Sequence, residues 1–212
     1  MKFAAQFMQF MVLIPAAILC FLPMKDQLTS PPKKIIARIW LVLTILIPVS
    51  ALIFMAGNFP ANYVMLPDIA ILYLFYHRSL NTHWATSASV FLMVAALMSF
   101  PPNIALCIDC QIHPQETLLS PCLVATTVQF AISVVFVLLY FLIFKNHFSE
   151  LINSLNSAYV WSATLPVPLI FILLNIMMQP QKYETMHVNR VYRMYVAYPV
   201  SYTHLRAHET GR

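Results

Sequence analysis

The chain has 212 residues, of which 60% are hydrophobic and only 9% charged, with a formal net charge of +5 and a mean hydropathy of +0.75. A soluble domain carries about 25% charged residues, so this chain lacks the polar groups to clothe a water-exposed surface. The positive balance does not indicate nucleic acid: no basic stripe interleaves with aromatics, and several cations instead sit beside apolar runs, where lipid headgroups act on them.

Charged residues divide the chain into uncharged runs at 3–24, 39–67, 79–108, 117–144 and 151–181. Each is long enough for a helix of about 20 residues, which crosses roughly 30 Å of hydrocarbon. A first span is expected over 3–22. The box AILC at 17–20 invites comparison with a cleaved leader, but the strong charge follows the segment rather than preceding it, which favours a retained span. Lys25, Lys33, Lys34 and Arg38 make the next loop the most basic. The positive-inside tendency therefore puts that loop in the cytoplasm and the N-terminus outside.

A second span is expected from 35 or 40 to 55, ended by Gly57, Asn58 and Pro60. The third, 61–76, is short and contains Pro67 and Asp68; its far edge, Tyr73, Tyr76, His77 and Arg78, has the aromatic and basic character of an inner interface. The fourth, 84–99, carries small residues four apart at Ala85 and Ser89 and at Ala95 and Ser99, a spacing that lets helices approach closely. An outer loop is expected over 101–121, started by Pro101 and Pro102. A fifth span covers 122–144 and a sixth 159–178, the latter notched by Pro166 and Pro168. VYRMYVAYPV at 191–200 reads as the start of a seventh. The expected fold is thus an all-α polytopic membrane bundle of six spans and the beginning of another. Its inner loops hold Lys25, Lys33, Lys34, Arg38, Arg78 and Lys145, and its outer loops before 179 hold no Lys or Arg beyond Lys2.

Few residues carry chemistry. With Gly57 and Gly211 as its only glycines, the chain contains no glycine-rich phosphate cradle, and it has no H-E-x-x-H, G-x-S-x-G or paired-carboxylate site. No catalytic residue and no cofactor is expected. Cys107, Cys110, His113 and Cys122 could close a tetrahedral zinc site, form an outer-face disulfide or remain inert thiols; a lone C-x-x-C does not choose among them. Asp68 has two readings, a ligand or ion contact within the bilayer or a residue of a helix's first turn, and the preceding Pro67 favours the second. His77 and His83 read as interfacial side chains. The amides Gln6, Gln9, Gln129 and Asn175 either line a polar pocket or satisfy one another between helices.

FMQFMVLIPAAILCFLPMKDQL at 7–28, SPPKK at 30–34 and QPQKYETMHVNRVYRMYV at 179–196 resemble the membrane half of bacterial sensor histidine kinases of the peptide-pheromone-receptor type. The resemblance implies a sensor-like region over 1–199 whose dimerising helix pair and ATPase domain lie further along the parent protein, so that homodimerisation belongs to the parent. His77, His83, His147 and His187 do not stand in the context of a phospho-accepting histidine. The implied ligand is an extracellular peptide or small amphiphile, and the polar residues expected near the outer face are its candidate contacts: Asn58, Asn62, Asp68, Asp109, Glu116, Lys182 and Glu184. The rival reading is a transporter or permease fragment, with Pro48 and Pro166 as helix breaks, and a third is a non-enzymatic partner of a processing or export machine. The final stretch, SYTHLRAHETGR, is similar to translated sequencing-adapter read-through, so 200–212 are expected to be non-native.

Overall fold

A computed structural model describes residues 2–56, 61–112, 122–144, 150 and 158–178. The described segments are helical: α1 (Lys2–Phe10), α2 (Leu13–Phe21), α3 (Pro32–Ala56), α4 (Ala61–Arg78), α5 (Trp84–Met98), α6 (Phe100–Ile112), α7 (Leu123–Leu139), α8 (Ala158–Thr164) and α9 (Pro166–Met178). A π-helical turn, Tyr140–Phe144, extends α7.

The expectation of six spans and a seventh is corrected. Among the described residues four helical stretches are long and apolar enough to cross a membrane: Phe3–Phe21, Pro32–Phe54, Trp84–Ala105 and Leu123–Ile143. What sets reach is the length of helix, not of uncharged chain. Tyr159–Asn175 is apolar but short, about 25 Å at 1.5 Å per residue, and is broken where α8 gives way to α9 at Pro166. α4 has 18 residues, and Asn62, Pro67 and Asp68 interrupt its apolar run before it ends on His77 and Arg78. The expected seventh start and the tail at 200–212 lie outside the described residues.

Prolines explain the joints. Pro15 has no N–H to offer the Met11 carbonyl, which instead accepts from Ile14 N–H at 3.0 Å, so the first crossing segment is two helices rather than one. Pro101 and Pro102, expected to open a loop, lie in the first turn of α6, where a missing N–H costs no hydrogen bond. The fourth crossing segment therefore continues past them.

Polarity is inverted relative to a water-soluble bundle. Leu41 (64% exposed), Ile45, Leu138, Leu142 (81%), Ile170 and Leu174 face outward, whereas Ser50, Ser87, Ser89, Thr126, Gln129 and Ser133 are buried. Such a surface is matched to hydrocarbon, where buried hydroxyls and amides join helices that the hydrophobic effect no longer drives together. The chain is a multi-pass helical membrane protein.

The first helical pair forms the hub, with α1 against α3 and α7 and α2 against α3, α5 and α7. Phe10 meets Phe54 edge-on at 6.3 Å, Phe21 meets Tyr76 at 5.0 Å, and Tyr73 meets Phe91 at 5.2 Å. α4 returns the chain to the end of the bundle where α2 finished. There Thr29 N–H donates to the Ser79 carbonyl at 3.0 Å and Asn81 N–H to the Gln27 carbonyl at 2.8 Å, and Leu28 bridges to Leu80. This clasp gathers Lys25, Lys33, Lys34, Arg38 and Arg78 toward one end.

Candidate ligand-binding cleft

Five helix pairs are joined by a polar stitch. Ser50 Oγ–H donates to Asp68 Oδ1 at 2.9 Å between α3 and α4. His77 Nδ1 lies 2.8 Å from Ser87 Oγ between α4 and α5; because the Ser87 hydroxyl has one hydrogen and the Trp84 carbonyl is 2.9 Å away to take it, the imidazole N–H serves as donor to Ser87. Ser89 Oγ–H donates to the Trp161 carbonyl at 2.7 Å, joining α5 to α8. Asn103 Nδ2 donates to Asn175 Oδ1 at 2.7 Å, joining α6 to α9. Between α7 and α1, Gln129 Nε2 makes a long bond of 3.5 Å to the Gln9 carbonyl.

These stitches frame a cavity of about 410 Å³ bounded by α1 and α2 on one side, α4 opposite, and α5, α6 and α9 along its length, with Ile39 and Val42 of α3 at its edge. Protein interiors pack to crystal density and leave few voids larger than a water, and this volume lies in the range of small-molecule sites. Small side chains create the room: Ala16 and Ala17 on α2 and Ala95 on α5 stand where larger residues would close the cleft. Leu13, Leu72, Leu92, Val94, Met98 and Leu169 make its walls apolar.

The polar residues of the wall are unevenly distributed. Ser99, Asn103 and Asn175 lie at the end remote from the basic clasp, with Gln9 on the same side of the cleft's middle; Cys20 and Tyr76 lie at the other end, beside Phe21 and Phe91. Among the described residues the cleft has no Asp, Glu, Lys or Arg in its wall. Gln9, 8% exposed, and Tyr76, 1% exposed, carry polar atoms, Gln9 Oε1 and the Tyr76 hydroxyl, that have no hydrogen-bond partner among the described residues. Gln6 Oε1, one turn before Gln9 on α1, is in the same condition. Across from them, Thr126 and Ser133 spend their hydroxyl hydrogens on carbonyls of α7 itself.

Of the sensing candidates read from sequence, Asp68 is the one whose side chain is described. It does not begin a helix: α4 starts at Ala61 and contains Pro67 and Asp68 in its interior. Asp68 is 4% exposed against Ser50 and stands outside the cleft wall, with Oδ2 lacking a partner. Asn62 and Asp109 lie on α4 and α6, their side chains outside the described set; Asn58, Glu116, Lys182 and Glu184 lie outside the described residues altogether. Of the proposed metal set, Cys107 and Cys110 fall on α6 without described side chains, His113 falls outside, and Cys122 Sγ accepts from Ala125 N–H at 3.4 Å as the cap of α7. His83 likewise caps α5, its Nδ1 accepting from Ala85 N–H at 3.3 Å.

Asn103 and Ser50 were missed by sequence reasoning. A signal for the first exists: Ala95, Ser99 and Asn103 form a four-residue spacing of small or polar side chains, and all three line the cleft. For Ser50 there is none, since an isolated serine in an apolar helix announces no partner. No protein-family model matches the chain, and no curated protein or solved structure matches it.

Proposed function

We propose that this bundle is the ligand-sensing membrane region of a signal-transducing histidine kinase whose catalytic part lies elsewhere in the parent protein. The observation that carries the reading is an apolar cleft, walled by separate helices, that contains no charged side chain among the described residues. Such a cleft suits recognition of an amphiphile. It suits transport of an ion or polar solute poorly, because a pathway for those requires charged or strongly polar residues along it. A ligand that prefers one packing of α2, α4, α5 and α9 shifts the bundle toward that packing, and the attached domain reads the shift. The basic clasp is proposed to face the cytoplasm, with the N-terminus outside, by the positive-inside tendency.

Long-read sequencing of the gene across the codons for Arg190 to Arg212 tests this directly. The expected reading frame continues into a histidine-bearing dimerisation helix followed by ATP-binding boxes. Further apolar spans in that position would replace the sensor reading with a permease, and an uninterrupted frame ending at Arg212 would refute the proposed parent architecture.

A further inference from the structure

We infer that the clasp end of the bundle is a binding surface for the headgroups of anionic phospholipids. Lys25, Lys33, Lys34, Arg38 and Arg78 are all exposed there. The clasp brings them together: the Thr29 N–H and hydroxyl both donate to the Ser79 carbonyl, at 3.0 and 3.1 Å, and Asn81 N–H donates to the Gln27 carbonyl at 2.8 Å. These bonds hold the loop that carries Lys25 and leads into Lys33 and Lys34 beside Arg78.

The excess of positive charge does not rest on the described residues alone. Tyr140 of the π-helical turn shares a buried cluster with Leu19 near the end of α2, and Ser89 in the first turns of α5 bonds to Trp161 of α8, so the connection from α7 to α8 starts and finishes at this end. With the whole of 145–157 counted, this end has six Lys and Arg side chains, Lys145 included, and two carboxylates, Asp26 and Glu150. Aromatic side chains mark the depth: Trp40 (53% exposed), Trp84 (53%) and Tyr159 (84%) stand out from α3, α5 and α8, and Trp and Tyr favour the boundary between hydrocarbon and headgroups. Lys33 and Lys34 precede Trp40 by seven and six positions, about 9–10 Å at 1.5 Å per residue, which sets them at the level of the phosphates. Cations at that level attract anionic headgroups, and gathering them beforehand with backbone bonds lowers the ordering cost of binding.

The surface stands apart from the sensor reading and is tested without it. The whole chain is reconstituted in vesicles of phosphatidylcholine with a minority of phosphatidylglycerol, each lipid brominated in turn, so that quenching of Trp40 and Trp84 reports which lipid lies beside them. Both leaflets have one composition, so the orientation of the chain does not enter. A preference of about fivefold for phosphatidylglycerol is expected, falling as salt is raised. Lys33→Gln/Lys34→Gln is expected to lower it about threefold, and Lys2→Gln, at the opposite end, to leave it unchanged. Thr29→Pro, which removes two donors of the clasp and keeps every charge, is expected to lower it about twofold.

Equal quenching by the two lipids would overturn the inference. So would a preference that survives Lys33→Gln/Lys34→Gln, or one that inorganic phosphate abolishes at matched ionic strength, since the anion recognised is then a free one. If Thr29→Pro fails to fold, Asn81→Pro removes the other donor in its place, and a preference untouched by a folded clasp variant refutes the part assigned to the clasp. If neither folds, the exposed lysine pair decides alone.

Discussion

Ser50→Ala tests whether the Asp68 carboxyl depends on its neighbour. Ser50 is 1% exposed and Asp68 4% exposed; Oδ1 accepts the serine hydroxyl at 2.9 Å, and Oδ2 has no partner among the described residues. Removing the hydroxyl leaves both carboxyl oxygens buried with nothing to bond. A hydrogen bond to a charged or strongly polar group contributes about 1.5–3 kcal/mol in water-soluble proteins. Interhelical bonds in membranes average about 0.6 kcal/mol and reach about 1.7, because the unfolded chain also finds partners. Since Asp68 has no second bond to fall back on, Ser50→Ala is expected to destabilise by about 1–2 kcal/mol, near the upper membrane value. Asp68→Leu alone removes the costly group, and the serine hydroxyl can turn back to a carbonyl of α3; it is expected to be neutral or stabilising. The double variant Ser50→Ala/Asp68→Leu should match Asp68→Leu. Steric-trapping measurements of unfolding free energy in bicelles provide the assay. If Ser50→Ala costs the same whether residue 68 is Asp or Leu, the cost comes from packing at position 50 and the argument about the carboxyl fails.

Three further outcomes are expected. Pro15→Ala restores a donor for the Met11 carbonyl and fuses α1 with α2, so amide exchange at residues 11–16 should slow by about fivefold, as one added hydrogen bond implies; unchanged exchange would show that the joint has another cause. Ser89→Leu inserts a bulky side chain at a fully buried contact and should push α8 from α5, readable as a longer spin-label distance between the two helices, whereas Ser89→Ala should cost about 1 kcal/mol and leave the distance alone, because Thr164 Oγ1 lies 2.8 Å from the same Trp161 carbonyl. Asn103→Leu and Asn175→Leu should show a coupling energy of about 0.6–1.7 kcal/mol in a double-mutant cycle, and additivity would mean that their 2.7 Å bond adds nothing to the α6–α9 contact.

Membrane character was legible because composition alone leaves no other surface to present, and the small-residue spacing at Ala85 and Ser89 did mark a contact: both are fully buried. The second pair behaves differently. Ala95 and Ser99 line the cleft, since smallness permits either a close approach or a void and sequence cannot say which. The count of spans failed because an uncharged run was equated with a helix, although Pro15, Pro101 and Pro166 had quite different effects according to their position in a turn. Asp68 was misplaced for a related reason: Pro67 suits a helix start, yet it is also tolerated inside α4, where the helix begins six residues earlier at Ala61. The amides of Gln129 and Asn175 were visible as polar residues in apolar runs. Their partners, the Gln9 carbonyl and Asn103, were not, because pairing depends on which helices the bundle brings side by side.

The clasp between Thr29 and Ser79 gives α3 and α4 a mechanical property that neither helix has alone. Consecutive helices are joined by chain at one end; these two are also fastened at the other by backbone hydrogen bonds from Thr29 and Asn81. The result is a closed frame rather than an open hairpin. A frame cannot splay, so α4 cannot swing away from α3 to widen the cavity without breaking those bonds. It moves as a panel, carrying Lys33, Lys34 and Arg38 at the foot of α3 and Arg78 at the foot of α4 together. The two feet thus form one block of positive charge whose internal spacing is set by backbone hydrogen bonds rather than by side chains.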